Sequence, residues 1–485
     1  MELNNPHLTC IEWRMNMSFK NAVLNTTVEA RTWNGMKAIK STLSDTTDLF
    51  FKIGASRGKD ITAQFEKAFQ ENPDIALRIA QWARDARGGA GERELYRQVL
   101  KHLEKAHPEV LLETRILQNT AEIGRWDDLL VFTNGDIKAK AFGLIKEALD
   151  SGNGLCAKWM PRKGPISVEL RESFGWSPKY YRKRLVELTK VVETQMCSKQ
   201  WEEINFSHVP SLAMSRYSKA FGKNAADKFT EFKTKLKSGD KSVKVNAGAV
   251  YPYDITKNVR YGDSDLADEQ WKALPNFIGD AMVLPLVDVS GSMGKPAGGY
   301  SSKSGVSCLD VAVSLGLYCS DKNTGPFKDL FLTFSSKPKF VHLKGTLSQK
   351  ITQMNRSNWE MSTNLHGAFE EILRVAKENN VPHKDMPQVL LIMSDMQFDS
   401  CTRYDDSAMQ MIQRKYKDAG YEVPQVVFWN LNAADNVPVK FDTKGVALVS
   451  GFSPSIMKSV LAADMEGFTP EGIMKKAVMS DRYSI

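Results

Sequence analysis

Past residue 279 the chain changes texture, and that change constrains the fold more than any other feature. Four apolar runs of strand length, AMVLPLVDVS, DLFLTFSS, QVLLIMSD and QVVFWNLN, are separated by segments of helical spacing. Those segments are CLDVAVSLGLYCSD, LHGAFEEILRVAKEN and DSAMQMIQRKYKDAG, with SPSIMKSVLAAD following near the end. A strand that is apolar at nearly every position is buried on both faces. Alternation with helices then implies a mostly parallel sheet covered on both sides, on the six-strand scale. Sheets of this kind bind ligands at the carboxyl ends of their strands. Residues 279–485 are the expected α/β domain. Pro285 is expected at the start of its strand, because a central strand should not lose a ladder donor.

The first half reads differently. Residues 60–240 carry helical periodicity throughout, as in PDIALRIAQWARDAR, GERELYRQVLKHLEKAH and IKAKAFGLIKEALDSG. Pro73, Gly88, Gly89, Pro108, Gly124 and Gly152 punctuate it. Short helices stacked in sequence predict a HEAT-like α-solenoid over 1–278, with about 20–270 almost entirely helical. The fold class is multidomain, α followed by α/β, with the acidic stretch YGDSDLADEQWKALPNF as the junction.

Composition excludes several classes. The 485 residues are 42% hydrophobic and 25% charged, as in ordinary globular proteins. No apolar run approaches the roughly 20 residues that span a bilayer, and the N-terminus lacks a secretory pattern. The six cysteines are scattered without a CxxC, which fits free thiols in a reducing compartment. A cytoplasmic protein without membrane association is expected. The net charge of +8 is unevenly placed: residues 151–278 hold 22 Lys/Arg against 14 Asp/Glu, and the flanking regions balance. Clustered basic charge suits a polyanion, although a solvated lysine-rich face would look the same.

Three polar signals fall at strand ends or just before a helix. Asp288, Ser290 and Ser292 end the first run, Thr363 precedes LHGAFEEIL, and Asp395 ends VLLIMSD. These five oxygen-bearing side chains from three loops suit a hard cation such as Mg²⁺, which takes about six oxygens. The alternative is an ordinary capped polar turn. The order DxSxS, then Thr, then Asp resembles the metal-ion-dependent adhesion site of von Willebrand factor A domains, and all five positions match. Ser362 stands where a glycine often precedes the threonine. The resemblance covers about 279–485. It implies a Rossmann-like A domain holding Mg²⁺ or another divalent cation through Asp288, Ser290, Ser292 and Thr363, with Asp395 acting through water. Its neutral hydroxyl ligands leave the ion electron-poor, so a partner protein's carboxylate is an expected ligand.

Basic residues gather in the first half. Arg84, Arg87 and Arg93 flank the turn in RDARGGAGER, which lacks the Gly-Lys-Ser/Thr of a P-loop. Lys158, Arg162 and Lys163 lie in AKWMPRKG, and Lys179, Arg182, Lys183 and Arg184 in KYYRKR. Lys219 and Lys223 follow, and Lys228, Lys233, Lys235 and Lys237 could extend the track. Such side chains grip phosphates, and Trp159, Tyr180 and Tyr181 could stack on unpaired bases or be core residues. A helical repeat followed by an A domain resembles the Ro (TROVE) RNA-binding proteins and, more closely, their Ro-like relatives. WARDARGGAGERELYRQVL, GRWDDLL, LCAKWMPRK, SPKYYRKRLVELTKVVETQMCSKQWEEI and VPSLAMSRYSKAF carry the likeness. It implies a ring of helices closed by the A domain, with small structured RNA on its basic surface and single-stranded ends of misfolded RNA in its hole.

No catalytic set is evident. The seven histidines form no HExxH or His-x-His pattern. His366, three residues after Thr363, reads as a helix-surface residue. Asp288 lacks the second aspartate of a phosphatase-like nucleophile, since Ser290 occupies that position. A non-enzymatic protein is expected.

Overall fold

Helices follow one another from Asp45 to Lys272, and residues 60–240 contain no strand. Their starts follow from the sequence. Asn72 accepts from the Ile75 amide at 3.0 Å ahead of Pro73–Arg84. Asn153 accepts from Cys156 ahead of Gly154–Trp159, and Ser177 from Tyr180 ahead of Pro178–Leu188. Each side chain satisfies an amide that the first turn leaves unpaired. Pro73 and Pro178 fill first-turn positions where no N–H is needed. The Glu71 carboxylate, from the helix Thr62–Glu71, accepts from the amides of Asp45 and Thr46, completing the positive end of the helix Asp45–Ile53. The computed structural model describes residues 29–297, 305–334, 336–356, 362–400, 406–462 and 467–485.

The expectation of helix from about residue 20 needs correction at its start. Strands β1 (Glu29–Arg31) and β2 (Lys37–Ile39) form an antiparallel hairpin with Ala30 opposite Ala38. Three-residue strands are too short to show a period. The hairpin rests on the C-terminal half: the Ile39 amide donates to the Val437 carbonyl at 3.0 Å, and Val437 donates back at 2.8 Å. The helix Asp45–Ile53 lies against the last strand of the sheet. There the Ser450 hydroxyl donates to the Phe50 carbonyl at 2.9 Å and accepts from the Gly54 amide at 3.0 Å. A β-carbon on Gly54 would collide with the Ser450 carbonyl. Residues 29–54, grouped by sequence with the solenoid, thus pack on the sheet.

That sheet contains β3 (Val283–Asp288), β4 (Leu330–Phe334), β5 (Lys339–His342), β6 (Val389–Ser394), β7 (Gln425–Asn430) and β8 (Val446–Ser450), in the order β5-β4-β3-β6-β7-β8. Every pairing is parallel except that of β5, the antiparallel edge strand. Pro285 sits inside β3, opposite Leu391, rather than at its start; pairing with β4 begins only at Leu286. The two faces of the sheet feed different cores. Val283 and Val287 join a core shared with Trp82 and Leu117 of the helices. Leu284 and Leu286 face Phe369, Tyr416 and the N-terminal Met36 and Phe51. Both ends of the helical run return to the α/β half: Asp45–Ile53 contacts β8, and Pro252–Tyr261 contacts the helix Cys308–Lys322.

The C-terminus crosses the other way. Asp85, buried at the end of Pro73–Arg84, accepts from Arg482 Nη2, the Tyr483 hydroxyl and the Arg87 amide, each at 3.0 Å. Gln81 donates to the Tyr483 carbonyl at 3.0 Å. Burial opposes ionisation of Asp85, but the Arg482 guanidinium and these donors hold its carboxyl below the usual range. Its stabilisation is therefore present above about pH 4 and lost as pH falls through the folded value. Replacing Arg482 with alanine strands the buried charge. Arg482 is itself partly exposed, so we expect a loss of about 2 kcal/mol, between the values for exposed and buried pairs. Urea denaturation at neutral pH should show this loss, and the difference between variant and parent should shrink below about pH 4.

Candidate functional site at the carboxyl edge of the sheet

β3 and β6 are adjacent central strands, and the chain leaves them in opposite directions across the sheet, β3 leading to β4 and β6 to β7. This is the switch point at which open α/β sheets form a crevice. Both strands are buried along their full length, so their terminal polar residues emerge from an apolar layer. Asp288 Oδ1 accepts from the Ser290 amide at 2.9 Å, folding the DVS turn back on itself. Asp288 Oδ2 accepts from the Ser394 hydroxyl at 2.6 Å, and the hydroxyls of Ser290 and Ser292 lie 3.0 Å apart. Asp395 follows Ser394 and accepts a hydrogen bond from Ser292. Asp288, Ser290, Ser292 and Asp395 are thus one connected group. Thr363, buried before the helix Leu365–Glu378, is tied instead to the loop after Asp395: its carbonyl accepts from the Asp399 amide at 3.1 Å.

The electrostatics are those of a buried, only partly compensated acidic pocket. Burial, then the nearby Asp395 charge, raise the Asp288 carboxyl well above the ordinary range, against the opposing hydrogen bonds of Ser394 and Ser290. Burial raises Asp395 as well, against the Ser292 hydrogen bond and the Lys295 charge. Asp395 Oδ2 is buried without a hydrogen-bond partner. Two carboxylates, neighbouring hydroxyls and one unused buried oxygen make an all-oxygen donor set of the kind that hard divalent cations take.

Sequence reasoning missed three contributors. Ser394 was visible only as a strand-end serine, yet it bonds Asp288. Gln397 donates to Asn436 Oδ1 at 3.1 Å and accepts from the Trp33 amide at 2.7 Å, clamping the Asp395 loop to the N-terminal hairpin. Met396, between them, holds a left-handed backbone with φ of 62° and a buried side chain. His366 turns to Glu370, with Nδ1 3.5 Å from Oε1.

The basic candidates divide sharply. Arg84 is buried and donates to Asp128 at 2.7 Å; it is a structural ion pair, not a free contact. Arg93 bonds Glu94, and Arg184 donates to the Leu149 carbonyl at 2.8 Å. Lys158 lies 4.0 Å from Glu193, and Trp159 is covered by Arg125 at 3.3 Å. Tyr181 is buried, its hydroxyl on the Pro161 carbonyl at 2.9 Å. Lys233, Lys235 and Lys237 are held by Asp263, Glu231 and Asp265, and Lys228 by the Glu202 carbonyl, so the later lysines do not extend a free track. By contrast Arg87, Lys163, Lys179, Arg182, Lys183, Lys219 and Lys223 are exposed and form no ion pair among the described residues. Arg162, also exposed, donates to the Thr189 hydroxyl at 3.1 Å and forms no ion pair among the described residues. A cavity of about 1120 Å³ adds Arg57, Lys59, Lys101, Lys105 and Arg125 to Arg84 and Arg93, facing the acidic residues Asp60, Glu92 and Glu94.

Comparison with known proteins places these features. Residues 32–133 and 175–281 match a domain of unknown function, DUF2828, and residues 283–481 match another, DUF7788. The second match begins on the first residue of β3. The uncharacterized protein L728 of Acanthamoeba polyphaga mimivirus is 28% identical, over 91% of this chain and 86% of that protein. The crystal structure of the Deinococcus radiodurans Ro (RSR) protein is similar with a TM-score of 0.48 and 15% identity, over 90% of this chain and all of that one. No helix among the described residues is long and apolar enough to cross a membrane. The described cysteines, Cys156, Cys197, Cys308 and Cys319, are free thiols; Cys10 and Cys401 lie outside the described residues.

A raised carboxyl contributes stability that fades as pH rises, since the folded state then holds the extra proton. Metal-free protein should therefore lose stability from about pH 4 toward neutrality, and Asp288→Asn should flatten that slope and raise the melting temperature. Saturating Mg²⁺ should stabilise the parent by about 2.7 kcal/mol at a hundredfold excess over Kd and leave the variant unchanged. Calorimetric melts across pH, with and without Mg²⁺, check both outcomes.

Proposed function

We propose that this chain is a non-enzymatic RNA-binding protein of Ro-like type, which holds small structured or misfolded RNA on its helical half. The observation that carries the reading is a free basic cluster on two adjoining elements. Lys179, Arg182 and Lys183 project from the helix Pro178–Leu188, and Arg162 and Lys163 from the turn beside it. The two are joined by the Tyr181–Pro161 and Arg162–Thr189 hydrogen bonds. Tyr180, about half exposed, stands among them with its ring edge-on to Trp176. Phosphate contacts supply affinity and an exposed aromatic ring offers a stacking surface. The basic cavity suits a single strand, because Lys101 and Lys105 are exposed and form no ion pair among the described residues.

A second reading has its own support and is compatible with the first. Mg²⁺ or another divalent cation, held by Asp288, Ser290, Ser292 and Thr363 with Asp395 behind, would present a Lewis-acidic position to a carboxylate of a protein partner. Trp33, 92% exposed at the tip of the β1–β2 hairpin, is tied through its amide to Gln397 of the Asp395 loop. An exposed tryptophan beside an ion site fits a protein-docking anchor.

Neutralising Arg162, Lys163, Lys179, Arg182 and Lys183 together should weaken RNA binding and flatten its salt dependence. Each lost phosphate contact should remove about 0.7–0.9 of a unit of log–log slope. Fluorescence anisotropy with structured and single-stranded RNA over a salt series measures both. Asp288→Ala should leave RNA affinity intact. A neutralised variant that binds like the parent at every salt concentration would eliminate the RNA reading and favour the partner-capturing one.

A further inference from the structure

The helical half contains a second group of metal-ligand character, remote in kind from the all-oxygen edge of the sheet. Glu66 lies on the helix Thr62–Glu71, His102 on the helix Arg93–Ala106, and His107 caps that helix before Pro108–Glu113. A carboxylate oxygen of Glu66 and one ring nitrogen from each histidine all lie within 4.8 Å of one another. Glu66 Oε2 is 2.6 Å from His102 Nε2 and 3.1 Å from His107 Nε2. Two imidazoles from different segments thus converge on one oxygen.

We propose that Glu66, His102 and His107 bind a divalent transition-metal ion, zinc being the best match. Two imidazole nitrogens and one carboxylate favour zinc or its neighbours over Mg²⁺ and Ca²⁺, which take oxygen ligands. The surroundings hold the donors in place as metal sites require. Gln70 donates to Glu66 Oε1 at 3.0 Å, leaving Oε2 for the shared point. Phe69 packs on the His107 ring at 4.4 Å between centroids, and Phe65 meets His102 edge-on at 6.1 Å. Glu109 Oε1 lies 3.8 Å from His107 Nδ1, on the far side of the ring from the shared point. In the metal-free state the rings donate protons to Glu66. When the ion takes Nε2, the single proton of each neutral ring moves to Nδ1, and the donors separate slightly to reach bond lengths of about 2.0–2.2 Å. Three protein ligands leave a fourth tetrahedral position for water or another exchangeable ligand. His102 also lines the basic cavity, with Lys101 and Lys105. His102 and His107 stand at the H-x4-H spacing that zinc sites use, but no cysteine pair accompanies them and the carboxylate comes from a separate helix, so the sequence alone does not reveal the group.

The test is equilibrium dialysis of the full chain against Zn²⁺, with excess Mg²⁺ to occupy the oxygen site. One ion per chain is expected. His102→Ala and His107→Ala should each weaken binding by more than about 100-fold, and Gln70→Ala by about 10-fold, as for supporting residues elsewhere. Zinc-edge X-ray absorption on the loaded parent should show two histidine nitrogens with oxygen completing the shell, a readout that does not depend on the variants folding. A parent that takes up no Zn²⁺, histidine variants that fold and retain parental affinity, or a shell containing sulfur or oxygen alone would each overturn the proposal.

Discussion

The carboxylate of Asp85 fastens the end of the chain to its beginning, and the relation between the two halves depends on that attachment. Arg482 and Tyr483 reach it from the C-terminus, while residues 29–54 cross in the opposite direction to lie on the sheet. Each half therefore completes the other's core. Trp82 packs in the same cluster as Val449, Met474 and Tyr483, and Phe51 in the same cluster as Phe428. Neither half, cut at residue 278, would retain its full apolar packing, and a buried carboxylate would be left without its cation. The crossing also has a functional side. The hairpin that caps the Asp395 loop continues directly into the first helix of the solenoid, so the sheet edge and the helices share a covalent and packed connection.

A second buried charge explains why the arginine-rich turn misleads. Asp128 accepts from Arg84 and Arg97, each at 2.7 Å, and from the Arg125 amide at 3.0 Å. Glu92 pairs with Arg57 in the same way, at 2.7 Å. Removing one member of such a buried pair costs about 3–5 kcal/mol, far more than an exposed pair contributes. Arginines spent on this scaffold offer little to a phosphate, whereas Lys179, Arg182 and Lys183 give up no internal partner when they meet one. Gly89 and Gly124 belong to the same scaffold. A β-carbon on the first would collide with the Trp82 carbonyl, and one on the second would crowd Asp128 and Arg84.

What the sequence revealed follows from the length scale of each signal. β3 and β6 were legible because a fully buried strand is apolar at every position, and Asp288 and Asp395 because a charge that ends such a run is conspicuous. The helices were legible because their periods repeat over many residues. The β1–β2 hairpin has three-residue strands and no readable alternation. Its partners Phe398 and Val437 lie hundreds of residues away, so nothing local announces the pairing. Ser394 looked like an ordinary strand terminus, because its hydroxyl acquires a role only when register places it beside Asp288. Arg84 and Lys183 are equally basic in sequence and opposite in structure. Burial separates them, and burial is set by which helix face meets Asp128. Glu66, His102 and His107 were hidden for the same reason, being brought together by packing across a helix break.

The two faces of the molecule also impose an order on what each can bind. The helical half carries the whole positive excess of the chain, so a polyanion is drawn there at long range, with a strength that salt controls. The sheet edge is locally acidic, with Asp288 and Asp395 both buried and the Asp395 charge pressing on Asp288. An acidic partner approaching that edge meets repulsion as long as the two carboxylates are uncompensated. On the proposed reading, charge compensation at Asp288 and Asp395 must precede capture of a carboxylate, while RNA binding on the far cluster needs no such step. On that reading the two proposed activities would differ in their requirement for divalent cation, although residues 29–54 pack the sheet edge and the helices together. Cation dependence, rather than mere presence of both ligands, is the property that separates the two surfaces physically.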